Sequence, residues 1–454
     1  MSLAQRYSTR LLLFVALLFA HSHAASTRAA QGAFDKSEFA ARRARLFEQI
    51  ADGVAVVFAA DPHVQPVKFR QSPDFYYLTG IEEPGAVLML VGKTRESFVF
   101  ARPREEWEVS VEGPGLLDAK GAAESYGLTR VAPLAEFSKT FGDASKDAKR
   151  LYVPLSPPDA LQMARSEMST KDREVASNPL YSYTPTYAQA VARLRELQPT
   201  LVPADVNRII DTLRWIKSPY EIERVRKSAA IAAEAMTAAM RGTHPGEYEY
   251  EVEAAARFVQ TRRGARGDAF TPIVASGPNT ITWHYERNDR RMQAGEVVLM
   301  DYGADYDYYA SDITRTWPVS GAFTPEQEKM YRCILEARAA VIASMKPGVT
   351  LGRMQDVAEE VYKRHGFRQQ FIELGRYVGH FVGMSVHDVG PMLPNTALKP
   401  GVVFNVEPLI EFRVKQIHMR LEDTVLVTET GAENLTAAAP ADIEAVYALV
   451  RQKQ

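Results

Sequence analysis

Between about Phe34 and Leu201, short apolar runs alternate with stretches of helical spacing. Val54-Ala55-Val56-Val57-Phe58-Ala59, Ala86 to Val91, Phe98-Val99-Phe100 and Arg150-Leu151-Tyr152-Val153 carry the β-branched and aromatic residues expected of strands. The pattern predicts a mixed α/β domain. Residues from about Ser156 to Tyr187 interrupt it, being rich in Ser, Pro and Met without clear period, and predict a long excursion or lid. After Asp205 to Arg214, the run Ile216-Lys217-Ser218-Pro219-Tyr220-Glu221-Ile222-Glu223 puts a polar residue and a proline at the head of a long helix reaching about Met240. That run reads as the hinge to a second domain. Glu247 to Arg263 continues the helical spacing through Val252, Ala255, Ala256 and Val259, and the chain then turns strand-rich.

A length of 454 residues with 46% hydrophobic content agrees with two domains. At the N-terminus, Arg6 and Arg10 precede the apolar run Leu11 to Ala20, and Ser22-His23-Ala24 offers small residues for cleavage. This predicts an export signal over 1–24 and a periplasmic or secreted protein. A run of about ten apolar residues is too short for the ~20 that span a bilayer, so no stable membrane anchor is expected. The single cysteine, Cys333, lies in the helical pattern Glu326 to Met345, which leaves no internal disulfide to hold the fold. A formal charge of -2 gives no global field to recruit nucleic acid, so a small or peptide-like partner fits better.

The second half concentrates the acids and histidines. The strand-like run Val297-Val298-Leu299-Met300-Asp301-Tyr302-Gly303 sets a carboxylate among hydrophobes, where it needs a partner. A hairpin turning at Tyr306-Asp307 would oppose Asp301 to Asp312 in the next β-prone run, with Cβ atoms about 5 Å apart. Two carboxylates that close repel unless a proton or cation lies between them. Glu407, in Asn405-Val406-Glu407-Pro408, and Glu422, in Arg420-Leu421-Glu422-Asp423, are likewise symmetric about Val414-Lys415. Between the pairs runs the glycine-punctuated segment Gly379-His380-Phe381-Val382-Gly383-Met384-Ser385-Val386-His387-Asp388-Val389-Gly390. Four carboxylates and one imidazole can share two divalent ions about 3.5–4 Å apart, with a bridging water acidified to hydroxide near neutral pH. That is the apparatus of a hydrolase.

These segments resemble the pita-bread metallopeptidases (M24), the family of methionine aminopeptidase, aminopeptidase P and prolidase. Arg70-Gln71-Ser72-Pro73-Asp74-Phe75-Tyr76-Tyr77-Leu78-Thr79-Gly80 resembles the N-terminal domain of aminopeptidase P, and Ile216 to Glu223 the family's interdomain segment. The resemblance implies an α/β N-terminal creatinase/aminopeptidase P-like domain over 33–204 and an α+β pita-bread catalytic domain over 205–454. It implies metal ligation by Asp301 and Asp312, both bridging or chelating, by His380 on one ion, and by Glu407 and Glu422. Manganese is the family's usual metal, although such a donor set also suits cobalt, iron or zinc. Glu407 matches the family's proton shuttle. His284, within Asn279 to Asn288, and His387 match the outer histidines that contact the substrate carbonyl and stabilise the oxyanion. Arg420 is expected to orient a carboxylate ligand or face the substrate.

The expected reaction is hydrolysis of the N-terminal Xaa-Pro bond of peptides whose second residue is proline, by a homo-oligomer. The chain departs from the family pattern at Arg376, where a histidine is usual, and at Leu409 and Glu411, where glycine and tyrosine are usual. Arg376 could clamp a substrate carboxylate, which would favour Xaa-Pro dipeptides instead. A metal-free pita-bread binding protein, or a metal-free amidino hydrolase, is the alternative of a different class.

Overall fold

Six strands between Gly53 and Asp205 realise the apolar runs of the first half: β1 (Gly53–Phe58), β2 (Val87–Val91), β3 (Glu96–Ala101), β4 (Arg130–Pro133), β5 (Arg150–Val153) and β6 (Val202–Asp205). They form one sheet in the order β4-β3-β2-β1-β5-β6, antiparallel from β1 to β3 and parallel at both flanks. The runs are continuously apolar because both faces are covered. Val54, Val56, Met89 and Phe100 pack with Phe141, Val191 and Leu194, and Ala55, Val57, Leu88 and Leu90 with Phe39, Phe75 and Tyr77. This computed structural model describes residues 35–62, 68–180 and 182–452, so the expected export signal lies outside the described residues.

The predicted excursion contains the helix Arg165–Ala176, which has no fully buried residue. A helix without a buried stripe writes no 3.6-residue period into its sequence, which is why pattern alone misses it. The long helix Pro219–Arg241 starts as expected, with Ser218 and Glu221 forming a reciprocal cap and Pro219 in its first turn.

In the second half β7 (Gly267–Asp268), β8 (Ile273–Ser276) and β9 (Val297–Tyr302) are followed by a hairpin of β10 (Ala304–Tyr306) and β11 (Tyr309–Ala310), then by β12 (Ile313–Pro318). Then come β13 (Val403–Val406), β14 (Leu409–Phe412), β15 (Ile417–Arg420), β16 (Asp423–Val427) and β17 (Ala432–Asn434). Met236, Met240 and Val252 from the helices Pro219–Arg241 and Glu249–Arg262 pack against Val298, Met300 and Trp317 of β9 and β12. Met330, Ile334, Met354 and Tyr362 from the helices Pro325–Ser344 and Leu351–His365 pack against Phe404, Val406, Met419 and Val425 of β13, β15 and β16.

The first predicted register is corrected by two residues. Asp301 pairs with Thr314, and Tyr302 with Ile313. The turn is centred on Asp307 and Tyr308, at φ 51° and 72°, so that Tyr306 faces Tyr309. A two-residue hairpin loop with both central φ values positive matches the strand twist. Moving the turn centre by one residue moves the pairing by two, and Asp312 becomes the diagonal neighbour of Asp301 on the same face. At the break between the ladders Gly303 admits no side chain, because a Cβ there would lie 2.1 Å from the Ser311 carbonyl oxygen. In the second hairpin Leu409 pairs with Arg420 and Val406 with Asp423, so Glu407 and Glu422 do oppose each other about Val414-Lys415.

Candidate metal centre

Strand ends and one loop bring the acids and histidine together. Asp301 lies near the end of β9, Asp312 immediately before β12, Glu407 immediately after β13 and Glu422 between β15 and β16, all buried. The loop carrying His380 lies along β13: Asn405 N–H donates to the His380 carbonyl (2.7 Å), Glu407 N–H to that of Val378 (2.9 Å), and Phe381 bridges to Phe404. Gly379, at φ 137°, permits this approach, since a Cβ would sit 1.7 Å from the Asn405 carbonyl oxygen.

Asp312, His380 and Glu422 each offer a ligand atom within 4.8 Å of the others. His380 Nε2 lies 3.4 Å from Asp312 Oδ2, 3.6 Å from Glu422 Oε1 and 4.0 Å from Glu407 Oε2. Its Nδ1 is 3.1 Å from the Phe381 carbonyl oxygen, a hydrogen bond that puts a proton on Nδ1 and turns Nε2 toward the carboxylates. Glu422 accepts from Thr314 Oγ1 (2.6 Å) and Asn405 Nδ2 (2.8 Å). Arg420 hydrogen-bonds Asp301 through Nη2 and Glu407 through Nη1, the latter at 3.2 Å. It therefore ties one member of each acid pair, in keeping with orientation of carboxylate ligands.

The electrostatics suit cations. Burial, and then the charges of Glu422 and Asp301, push Asp312 well above the usual carboxylate range. Burial and the charge of Glu422 push Glu407 up despite Arg420 and His380, and burial raises Asp301 despite Arg420. Asp301 Oδ1 and Asp312 Oδ1 are buried without a hydrogen-bond partner. Crowded acids with unsatisfied inward oxygens and an imidazole lone pair are a donor set that divalent ions satisfy. The residues present fit such ions.

The outer residues are placed as follows. The His387 ring stands 4.5 Å from that of His380, edge to face, with Nδ1 3.0 Å from Glu167 Oε2. His284 is exposed in the turn after the short 3-10 helix Gly277–Ile281. Its neighbour Trp283 donates through Nε1 to Glu411 Oε2 (2.7 Å), so the glutamate that replaces the usual tyrosine anchors this turn. Arg376 pairs with Asp356 (2.7 Å) and Glu359 (2.8 Å) of the helix Leu351–His365, and these acids are where its guanidinium is spent. Two residues escape the sequence reading. Glu167 sits on the helix of the excursion, with no period to mark it. The other is the half-buried Tyr377, whose phenol is pushed well above its usual range by burial and then by the charge of Glu407; its position three residues before His380 was the available signal.

Comparison with known proteins finds matches to both halves of the chain. Residues 223–429 match metallopeptidase family M24, and residues 39–152 match the aminopeptidase P N-terminal domain. The Xaa-Pro aminopeptidase of Escherichia coli K12 is 31% identical over 462 residues, covering 92% of this chain and 99% of the relative. The Xaa-Pro dipeptidase of Pyrococcus furiosus is 37% identical over 234 residues, which is 51% of this chain and 66% of the relative. Among solved structures, E. coli aminopeptidase P with the inhibitor Pro-Leu superposes with a TM-score of 0.77 at 28% identity, covering 92% of this chain and 98% of the other. Fold and site thus define a pita-bread metallopeptidase. The chain belongs to metallopeptidase family M24, in the two-domain form that carries the aminopeptidase P N-terminal domain.

Proposed function

We propose that this chain is an exported Xaa-Pro aminopeptidase that hydrolyses the N-terminal Xaa-Pro bond of peptides at a centre of two divalent ions, manganese being the first candidate, and that it works as a homo-oligomer. The observation that carries the reading is the buried convergence of Asp312, His380 and Glu422 within 4.8 Å, in a chain of family M24. Asp301, Asp312, His380, Glu407 and Glu422 would hold the ions. Ions held there would supply Lewis acidity, to polarise a scissile carbonyl and to make a water more acidic.

The chain's own residues do the rest. Glu407 takes a proton from the attacking water and returns it to the proline nitrogen as that bond breaks. Arg420, hydrogen-bonded to both Asp301 and Glu407, keeps their remaining oxygens turned inward. His284 and His387 donate toward the carbonyl oxygen as it gains charge. The pairing of Arg376 with Asp356 and Glu359 supports longer peptides over Xaa-Pro dipeptides, since a free substrate carboxylate would have to compete with two fixed acids.

Assays of Xaa-Pro against Xaa-Pro-Xaa-Xaa peptides test the substrate, and cleavage of dipeptides alone would make the enzyme a prolidase. Metal analysis of protein prepared without chelators should give about two equivalents per chain, as a two-ion site requires. Less than one equivalent, unrestored by manganese, rejects the metallopeptidase reading. Export rests on the Arg6 to Ala24 pattern, and sequencing the N-terminus of the mature protein checks it.

A further inference from the structure

The segment between β5 and β6 does more than join two strands. Three contacts dock its first part onto the loop that follows His380. Val386 N–H donates to the Leu161 carbonyl (2.7 Å), Ser385 Oγ donates to Asp159, and His387 Nδ1 lies 3.0 and 3.1 Å from the two carboxylate oxygens of Glu167. Asp159 is anchored in turn by the buried Arg214, which also holds Asp388, the residue after His387. Glu167 and His387 are therefore held on frames that are bonded to each other.

Glu167 is placed to stay ionised. It occupies the first turn of the helix Arg165–Ala176, where a negative charge meets the positive end of the helix dipole, and its Oε2 accepts from Ala164 N–H (2.7 Å). An ionised carboxylate only accepts hydrogen bonds, so His387 Nδ1 donates to it and Nε2 is the nitrogen left to face the cleft beside His380, where it donates to substrate when it too carries a proton.

We propose that Glu167 is the positioning residue of His387: its carboxylate fixes the ring's orientation and its Nδ1 proton, so that a helix from the N-terminal half completes the catalytic site. This rests on the reading of His387 as a histidine that contacts substrate. The carboxylate acts through the ring alone, so its removal should be felt in turnover and should be silent once the ring is gone.

A double-mutant cycle tests it. Glu167→Gln keeps the bulk and can still cap the helix, and on an Xaa-Pro-Xaa-Xaa peptide it should lower kcat about tenfold with KM within about twofold, as loss of a partner that orients a functional histidine does. In a His387→Ala background the same change should cost nothing further. Equal losses in both backgrounds, or wild-type turnover of Glu167→Gln, overturn the proposal. Nitrogen-15 NMR of histidine-labelled protein, with the ring assigned through His387→Gln, gives a readout independent of activity. The proposal requires His387 Nδ1 to carry the proton that Glu167 accepts in the wild type, and an unprotonated Nδ1 there overturns it. A wild type that cleaves no Xaa-Pro peptide rejects the proposed function alone, and the spectrum then still decides the proposal.

Discussion

Glu407 is placed so that one side chain could carry both of its proposed roles in a crowded site. It opposes Glu422 across a hairpin, lies 4.0 Å from His380 Nε2 and accepts from Arg420, so its two oxygens face different partners. One oxygen can ligate while the other moves a proton. Replacing Glu407 with Ala should lower kcat by about 10²–10⁴-fold, the range for loss of a general base, while His380, Asp312 and Glu422 still retain metal. Steady-state kinetics alongside metal analysis checks this, and near-normal turnover would remove Glu407 from its role. At this scale the sequence made legible two pairs of acids with a histidine between them, while their ligand roles came only from the family resemblance. It was not legible for Arg376, whose partners Asp356 and Glu359 are known only once a helix packs beside it.

At the scale of elements, the site depends on backbone approaching backbone. The loop Val378 to Phe381 lies against β13 through hydrogen bonds to Asn405 and Glu407, and only glycine at position 379 allows that contact. Gly379→Ala should destabilise the fold by about 1–3 kcal/mol, the cost of forcing atoms into a packed region, and should weaken metal retention by displacing His380. Urea unfolding and metal content measure the two effects; wild-type values in both would show that the loop tolerates a side chain. The strands themselves were readable from their β-branched runs. The first hairpin's register was not, because symmetry about a midpoint leaves open which two residues adopt positive φ. Asp307 and Tyr308 do so here, with Tyr308 fully buried and stacked on Tyr76 at 3.5 Å, so packing against the N-terminal half decides the turn.

For the whole molecule, a buried charge network spans the two halves. Arg214 hydrogen-bonds Asp74, Asp159 and Asp388, and Lys217 completes Asp388. Removing one partner from such a set leaves uncompensated buried charge, so Arg214→Ala should cost about 3–5 kcal/mol in denaturant unfolding. A loss under about 1 kcal/mol, the worth of an exposed ion pair, would mean that the network is solvated.

The same network sets a pH dependence. Burial pushes Asp159 up, but Arg214, Arg165 and hydrogen bonds from Arg214 and Ser385 outweigh it and hold the carboxyl below its usual range. A carboxyl with a depressed folded value contributes stability above its unfolded value of about 3.9 and loses that contribution as pH falls below it. Unfolding free energy measured from pH 5 downward should therefore decline less steeply in Asp159→Asn than in the wild type. Equal slopes would show that Asp159 does not couple folding to protons.

Taken by itself, the amino-acid sequence determined the strands and capped helices, the order of the five inner residues and the symmetric opposition of Glu407 and Glu422. These depend on local periodicity, capping and turn chemistry, which a short window of residues contains. Only the tertiary structure decided the shifted register of Asp301, the engagement of Arg376, the anchoring of Trp283 by Glu411 and the meeting of Glu167 with His387. Glu167 and His387 are 220 residues apart. Such a contact depends on how two halves dock, and an exposed helix with no buried stripe carries no trace of it in its spacing.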